Sequence, residues 1–300
     1  MKRIGLLALL MGLAVSLSTA EKREITEGRV SVGKGVSIHY LQSGSTASSR
    51  VLVLIPGWRL PAYFWSEQLK TFASIGRVIA VDPRSQGEST KTTEGNSPEG
   101  RARDLHEVLT KLKISQPVLV GWSQGAQDVA AYVAQFGSDS IAGAVFVDSP
   151  VSIGPAEIEK HQTFSKIILS GAATYATHPE EYSKGMVSSI FKKAHPDLNA
   201  GDLVQATLKT PTDIGVAMLM LDIFGADRLT PLAKLKKPAL VIASAESPLL
   251  DEEKQMAASI PGAKFTAITG VGHAIFVDDP ARFDAEVRKF LAELGEPTTE

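Results

Sequence analysis

Short apolar runs alternate with longer segments of helical period along most of this chain. Residues 28–33 and 36–41 flank a Gly-Lys-Gly turn and predict an opening β-hairpin. The run at 51–55 is apolar at every position, as expected of a strand covered on both faces. Comparable runs occur at 78–81, 117–120, 142–147, 239–243 and 264–268. Helical patterns fall between them at 63–75, 98–113, 124–136, 251–259 and 280–294, and Ser97-Pro98 is a good helix start, with Ser as N-cap and Pro at the first helical position. This order predicts an α/β fold with a mostly parallel sheet, an antiparallel start and helices on both faces. Residues 150–230 break the rhythm, with helical stretches at 156–170, 180–193 and 213–224 but no convincing strand. A segment of that size far exceeds an ordinary loop, so it reads as a helical cap over one end of the sheet. The core is then split between residues 21–149 and 231–300, with a loose tail from Gly295 to Glu300.

The first twenty residues stand apart. Lys2 and Arg3 precede an uncharged apolar run from Ile4 to Val15, then small and polar residues ending Ser18-Thr19-Ala20. That is the pattern of a secretory signal peptide, with cleavage expected after Ala20 and export to a bacterial periplasm or the medium. Cleavage removes two basic residues and no acidic one, leaving 29 Lys and Arg against 33 Asp and Glu. A near-neutral to mildly acidic balance argues against a nucleic-acid partner, which needs a basic field. Removal of the leader leaves no segment long and apolar enough to hold the chain in a membrane. The sequence contains no cysteine, which excludes disulfides, zinc-thiolate sites, iron–sulfur clusters and a thiol nucleophile. Asp202, Asp222, Asp227 and Asp251 show no metal-ligand spacing, and no phosphate-cradling or dinucleotide-binding glycine pattern occurs, so no cofactor is expected.

Chemistry enters at Gly121-Trp122-Ser123-Gln124-Gly125, a G-x-S-x-G motif. Alone the motif is weak; its setting, with Val118-Leu119-Val120 leading in as a strand and 124–136 leaving as a helix, makes it strong. A strand turning sharply into a helix crowds its central residue, and glycines on both sides relieve that crowding. The Ser123 hydroxyl is thereby pushed beyond the sheet edge, over a helix N-terminus that favours developing negative charge. His273, in the glycine-rich loop after the last strand, can bend back to it and act as general base. His39 in the hairpin, His106 in a helix, and His161, His178 and His195 in the cap read as surface or core histidines.

Several motifs in order give the chain its resemblance to the α/β-hydrolases, close to the esterase and cofactor-free haloperoxidase-like branch. Leu54-Ile55-Pro56-Gly57-Trp58 resembles the strand and oxyanion loop of that family, with Pro56 in place of the usual His. Asp82-Pro83-Arg84-Ser85-Gln86-Gly87-Glu88-Ser89 resembles the segment after its fourth strand, with Ser85 in place of a Gly. Gly270-Val271-Gly272-His273 resembles its histidine loop, followed by Asp279-Pro280 and a last helix. The resemblance implies an oxyanion hole made by the backbone N–H groups of Trp58 and Gln124. It also implies an acid that orients the imidazole, and here the pattern is ambiguous. Ser247 stands where the family usually has its Asp, and Ser cannot supply the charge. Glu246, one residue earlier, is one substitute; Asp148, at the end of the strand before the cap, is the other. Asp148 is favoured because a strand end holds a side chain more rigidly than a shifted loop.

Other marked residues carry a plainer reading. Trp58, Tyr63, Phe64 and Trp65 are candidates to line the pocket, with core packing of the first helix an equal alternative for Phe64 and Trp65; Trp122 suits packing under the oxyanion loop, and Met218, Leu219 and Met220 suit a cap face over an apolar cleft or the cap's own core. Arg84 is expected in an ion pair with a loop carboxylate rather than on a substrate. The expectation is a secreted serine hydrolase acting on a small-molecule ester or lactone through an acyl-enzyme on Ser123. Haloperoxidase or perhydrolase-like chemistry, C–C bond hydrolysis on the same triad, and a non-catalytic ligand-binding protein of the same fold are the alternatives.

Overall fold

The computed structural model describes residues 24–295. The leader expected at residues 1–20, and all of the tail beyond Gly295, lie outside them. Eight strands form one sheet: β1 (Thr26–Gly33), β2 (Val36–Ser43), β3 (Val51–Ile55), β4 (Arg77–Val81), β5 (Val118–Trp122), β6 (Gly143–Val147), β7 (Ala239–Ser244) and β8 (Lys264–Ile268). Their spatial order is β1-β2-β4-β3-β5-β6-β7-β8. The hairpin β1–β2 is antiparallel and β2 joins β4 antiparallel, while every pair from β4 to β8 is parallel.

The apolar runs are continuous because the central strands are covered on both sides. Alternate residues feed two cores. Val51, Val53, Ile55, Leu119 and Phe146 pack in one layer with residues of helices α2 (Pro98–Lys111) and α3 (Gln124–Phe136). Leu52, Leu54, Val120, Val145 and Val147 pack in the other, beside α1 (Ser66–Phe72) and a C-terminal helix that starts at Pro280. The segment 63–75 opens as a short 3₁₀ turn, Ala62–Trp65, before α1. Ser97 caps α2 by accepting from the Gly100 N–H, with Pro98 in the first turn, as its sequence predicts.

Between β6 and β7 the described chain forms six helices: α4 (Ala156–Lys160), α5 (Gln162–Thr177), α6 (Pro179–Ser189), α7 (Ala200–Leu208), α8 (Thr212–Phe224) and α9 (Leu229–Leu232). The sequence pattern differs here in detail. The stretch at 156–170 is broken at His161 and runs on to Thr177, the one at 180–193 stops at Ser189, and α7 has no counterpart among the expected helices. An isolated bridge between Ile153 and Asp227, with the Arg228 N–H donating to Ser152 O (2.7 Å), clips the two ends of this excursion together. The chain then returns through β7, α10 (Leu250–Ser259), β8, α11 (Ile275–Asp278) and α12 (Pro280–Glu293).

Candidate active site

Ser123 sits between β5 and α3 at φ 55°, ψ −118°, a backbone conformation that L-residues avoid. The glycines beside it make the bend sterically possible. A Cβ on Gly125 would lie 2.3 Å from Ile55 O, and one on Gly121 would lie 2.2 Å from Gly125 O. The serine therefore stands out from the sheet at the start of α3. Its hydroxyl makes no hydrogen bond among the described residues and opens on a cavity of about 590 Å³. His273 is the one histidine among the residues lining that cavity.

Of the two carboxylates left open by the sequence, the fold brings Asp148 to the imidazole. Asp148 ends β6 at φ 48°, in the left-handed region that Asp tolerates better than most residues. Its Oδ2 lies 2.7 Å from His273 Nδ1, and its Oδ1 accepts the Ser244 N–H at 2.5 Å. An ionised carboxylate can only accept, so Nδ1 carries the proton and Nε2 keeps a lone pair. The Asp148 side chain is 3% exposed against 35% for His273, a buried anion behind a ring that reaches the cavity. Glu246 is not at the ring. It accepts from the Gly270 N–H (3.0 Å) and pairs with Lys192 (3.1 Å) at the surface, and these two donors hold its carboxyl below the ordinary value.

Ser247, at the vacated acid position, donates to Glu253 Oε1 (2.9 Å). Glu253 is fully buried and its other oxygen has no partner among the described residues. Burial, with the Asp148 charge nearby, pushes its pKa up to about 9, so it is neutral at pH 7.

The histidine loop is held from two sides. Trp122 Nε1 donates to His273 O (2.8 Å), and the Trp122 ring, buried beside Gly57 in the loop after β3, packs on Phe64 and Phe276. Asp278 accepts from the N–H groups of Gly272 (2.6 Å), Lys192 (2.8 Å) and Lys193 (3.3 Å), and lies 2.7 Å from His195 Nε2. Burial opposes its charge, but these donors hold its carboxyl below the usual aspartate value.

The backbone N–H groups of Trp58 and Gln124, the expected oxyanion donors, donate to nothing among the described residues, and both residues line the cavity. Gln124 is the first residue of α3, where an N–H has no partner within the helix. Its side chain belongs to a buried polar network that the sequence did not disclose. Gln86 Nε2 donates to its Oε1 (2.8 Å), while its Nε2 donates to Asp222 Oδ2. Asp222 shares Arg101 with Asp128, each carboxylate 2.7 Å from Nη2. Burial pushes both carboxyls up, Asp128 to about 7, against the opposing pull of the Arg101 guanidinium they share. The signal was Asp222 interrupting the otherwise apolar run from Ile214 to Phe224 in helix α8.

The remaining marked residues fall into place. Arg84 pairs with Asp104 (2.5 Å), on helix α2 rather than a loop. His39 is buried against Asp82 (2.7 Å), and His106 stacks on Phe136. His161 lies between Glu157 and Glu252, and His178 contacts Thr177. Met218 is buried within the cap, while Leu219 lines the cavity with Phe164, Ile168 and Ile223. Among the described residues no three His, Asp or Glu side chains converge to hold a metal ion, and no helix is long and apolar enough to cross a membrane.

A serine on a strained strand-to-helix bend, an Asp–His pair beside the same cavity, and a capped, mostly parallel sheet define the α/β-hydrolase class. A model of the alpha/beta hydrolase family matches residues 52–286, and the chain belongs to that family. Non-heme chloroperoxidase CPO-A1 of Kitasatospora aureofaciens is 27% identical over 271 residues, covering 86% of this chain and 96% of that one. Several other curated relatives are matched over only 40% to 44% of their length. Among solved structures, bromoperoxidase from Bacillus anthracis superposes with TM-score 0.79 at 22% identity, covering 89% of this chain and all of that one. Esterase RhEst1 from Rhodococcus sp. ECU1013 superposes with TM-score 0.74 at 26% identity, covering 90% and 99%.

Proposed function

We propose that this protein is an exported serine hydrolase that cleaves a carboxylic ester or lactone. The observation that carries the reading is a single cavity lined by Ser123, the Asp148–His273 pair and the two residues with free N–H groups, Trp58 and Gln124. Ser123 Oγ attacks the carbonyl carbon while its proton passes to His273 Nε2, and Asp148 steadies the resulting imidazolium. The carbonyl oxygen, now anionic, is held by the two N–H groups. Collapse expels the alcohol with the proton from His273 and leaves an acyl-enzyme. Water, deprotonated by His273, releases the acid and restores the serine. Catalytic hydrogen bonds of the Ser–His kind commonly tighten only in the substrate complex.

Perhydrolysis is a second reading, favoured by the haloperoxidase names among the relatives. Hydrogen peroxide would then replace water on the acyl-enzyme and leave as the peracid. A fluorophosphonate probe and p-nitrophenyl esters test the main reading: wild type is labelled and turns over, and Ser123→Ala does neither. Wild type that neither labels nor hydrolyses any short ester overturns it in favour of a ligand-binding role. For export, the mature N-terminus after secretion is expected at Glu21 by mass spectrometry; an unprocessed chain retained in the cytoplasm refutes export.

A further inference from the structure

Both residues that offer oxyanion N–H groups are fastened through their side chains to one helix of the cap. Trp58 Nε1 donates to Gly215 O (2.9 Å), and Gln124 Nε2 donates to Asp222 Oδ2. Gly215 and Asp222 lie seven residues apart in α8, two turns and about 10.5 Å along one face. Each tie is reinforced. The guanidinium of Arg59, wholly buried, lies 4.0 Å from the centroid of the Trp58 ring and 4.0 Å from that of Tyr175. A Cβ on Gly215 would lie 2.6 Å from Tyr175 Oη and 3.1 Å from Arg59 Cδ, so glycine is what lets Tyr175 and Arg59 approach the helix. At the other end Asp222 is held by Arg101, and Arg228 donates to the carbonyls of Asp222 and Leu221 (both 3.0 Å). Leu219 and Ile223, on the same helix, line the cavity.

We infer that helix α8 sets the spacing of the oxyanion hole, with Asp222 positioning Gln124 and the Gly215 carbonyl positioning Trp58. This rests on the hydrolase reading above. An N–H group stabilises an oxyanion only within hydrogen-bond reach, so the donors must hold their separation while the bond forms. The sheet supplies the serine and the histidine; the cap supplies the ruler. Substrate groups resting on Leu219 and Ile223 therefore press on the element that aligns the hole.

The test compares kcat, KM, melting temperature and affinity for a short alkylboronic acid, which forms a tetrahedral adduct on the serine. Asp222→Leu removes the acceptor for Gln124 yet leaves Arg101 paired with Asp128. Trp58→Phe removes the indole donor and keeps an aromatic ring. Losing a whole oxyanion donor typically costs about 10²–10³ in kcat, so misplacing one is expected to cost about tenfold. Asp222→Leu and Trp58→Phe should each lose about tenfold in kcat and in boronate affinity, with KM within about twofold. Unchanged kcat and boronate affinity in both, or a loss expressed only in KM or in melting temperature, overturns the inference. If Asp222→Leu does not fold, Trp58→Phe decides alone. Wild type without Ser123-dependent turnover removes the hydrolase reading, and the inference with it.

Discussion

Asp148 shows how much a single strand end can settle. Its carboxylate is buried, accepts from Ser244 and His273, and sits at a positive φ that fixes where the side chain leaves the chain. Asp148→Asn should lower kcat by about 10³–10⁴ by favouring the wrong imidazole tautomer. Glu246→Gln, at the surface beside Lys192, should keep near wild-type turnover; the reverse pattern in steady-state kinetics would move the acid to Glu246. Glu253 carries a prediction of a different sign. Its folded pKa, raised to about 9, makes its stabilising contribution complete below the ordinary glutamate value and lost as pH rises through 9. Thermal melts should show wild type losing stability as pH rises from the ordinary glutamate range to about 9 and levelling off above it, and Glu253→Gln, which cannot ionise, losing markedly less.

At the scale of elements, the histidine loop between β8 and α11 depends on a chain segment far away in sequence. Asp278 collects donors from Gly272 beside the His273 ring and from Lys192, Lys193 and His195 after α6. Asp278→Ala leaves part-buried N–H groups without their acceptor, at a cost on the order of 1–2 kcal/mol in denaturant unfolding, and should lower kcat as the loop loosens. Because the Asp278 pKa is depressed, its contribution is present above the ordinary aspartate value and is lost as pH falls through the lowered one. Acid inactivation of wild type should therefore include a step that Asp278→Ala lacks. This tie was illegible in the sequence, where Asp278 is one acid among several near the last helix. The G-x-S-x-G bend was legible, because a steric conflict among five adjacent residues can be read from those residues.

For the molecule as a whole, the cap turns an open sheet end into a half-open, largely apolar cavity. Phe164, Ile168, Leu219 and Ile223 come from its helices, and Trp58, Ser123, Asp148 and His273 from the core. A cavity of about 590 Å³ lies within the range that encloses small ligands. Across p-nitrophenyl esters, kcat/KM should peak at short to medium acyl chains and fall for palmitate; a maximum at palmitate would place the acyl group outside this cavity. The alternating pattern, the two-sided burial of the central strands and the opening hairpin were all readable before any coordinates. So was an interruption after β6, although its helices were only roughly placed and α7 was missed.

The sequence alone determined what depends on neighbours along the chain: strand and helix order, the bend that exposes Ser123, and the glycine-rich loop of His273. Tertiary structure decided which carboxylate meets the imidazole, since Asp148 lies 125 residues from His273 and the 2.7 Å contact exists only once β6 and that loop end at the same edge. It also decided that Trp58 and Gln124 hang from helix α8, through bonds spanning 157 and 98 residues. Hydrogen bonds act over a few ångströms of space whatever the separation in chain. Local periodicity can announce the elements, but only their packing selects which side chains share a site.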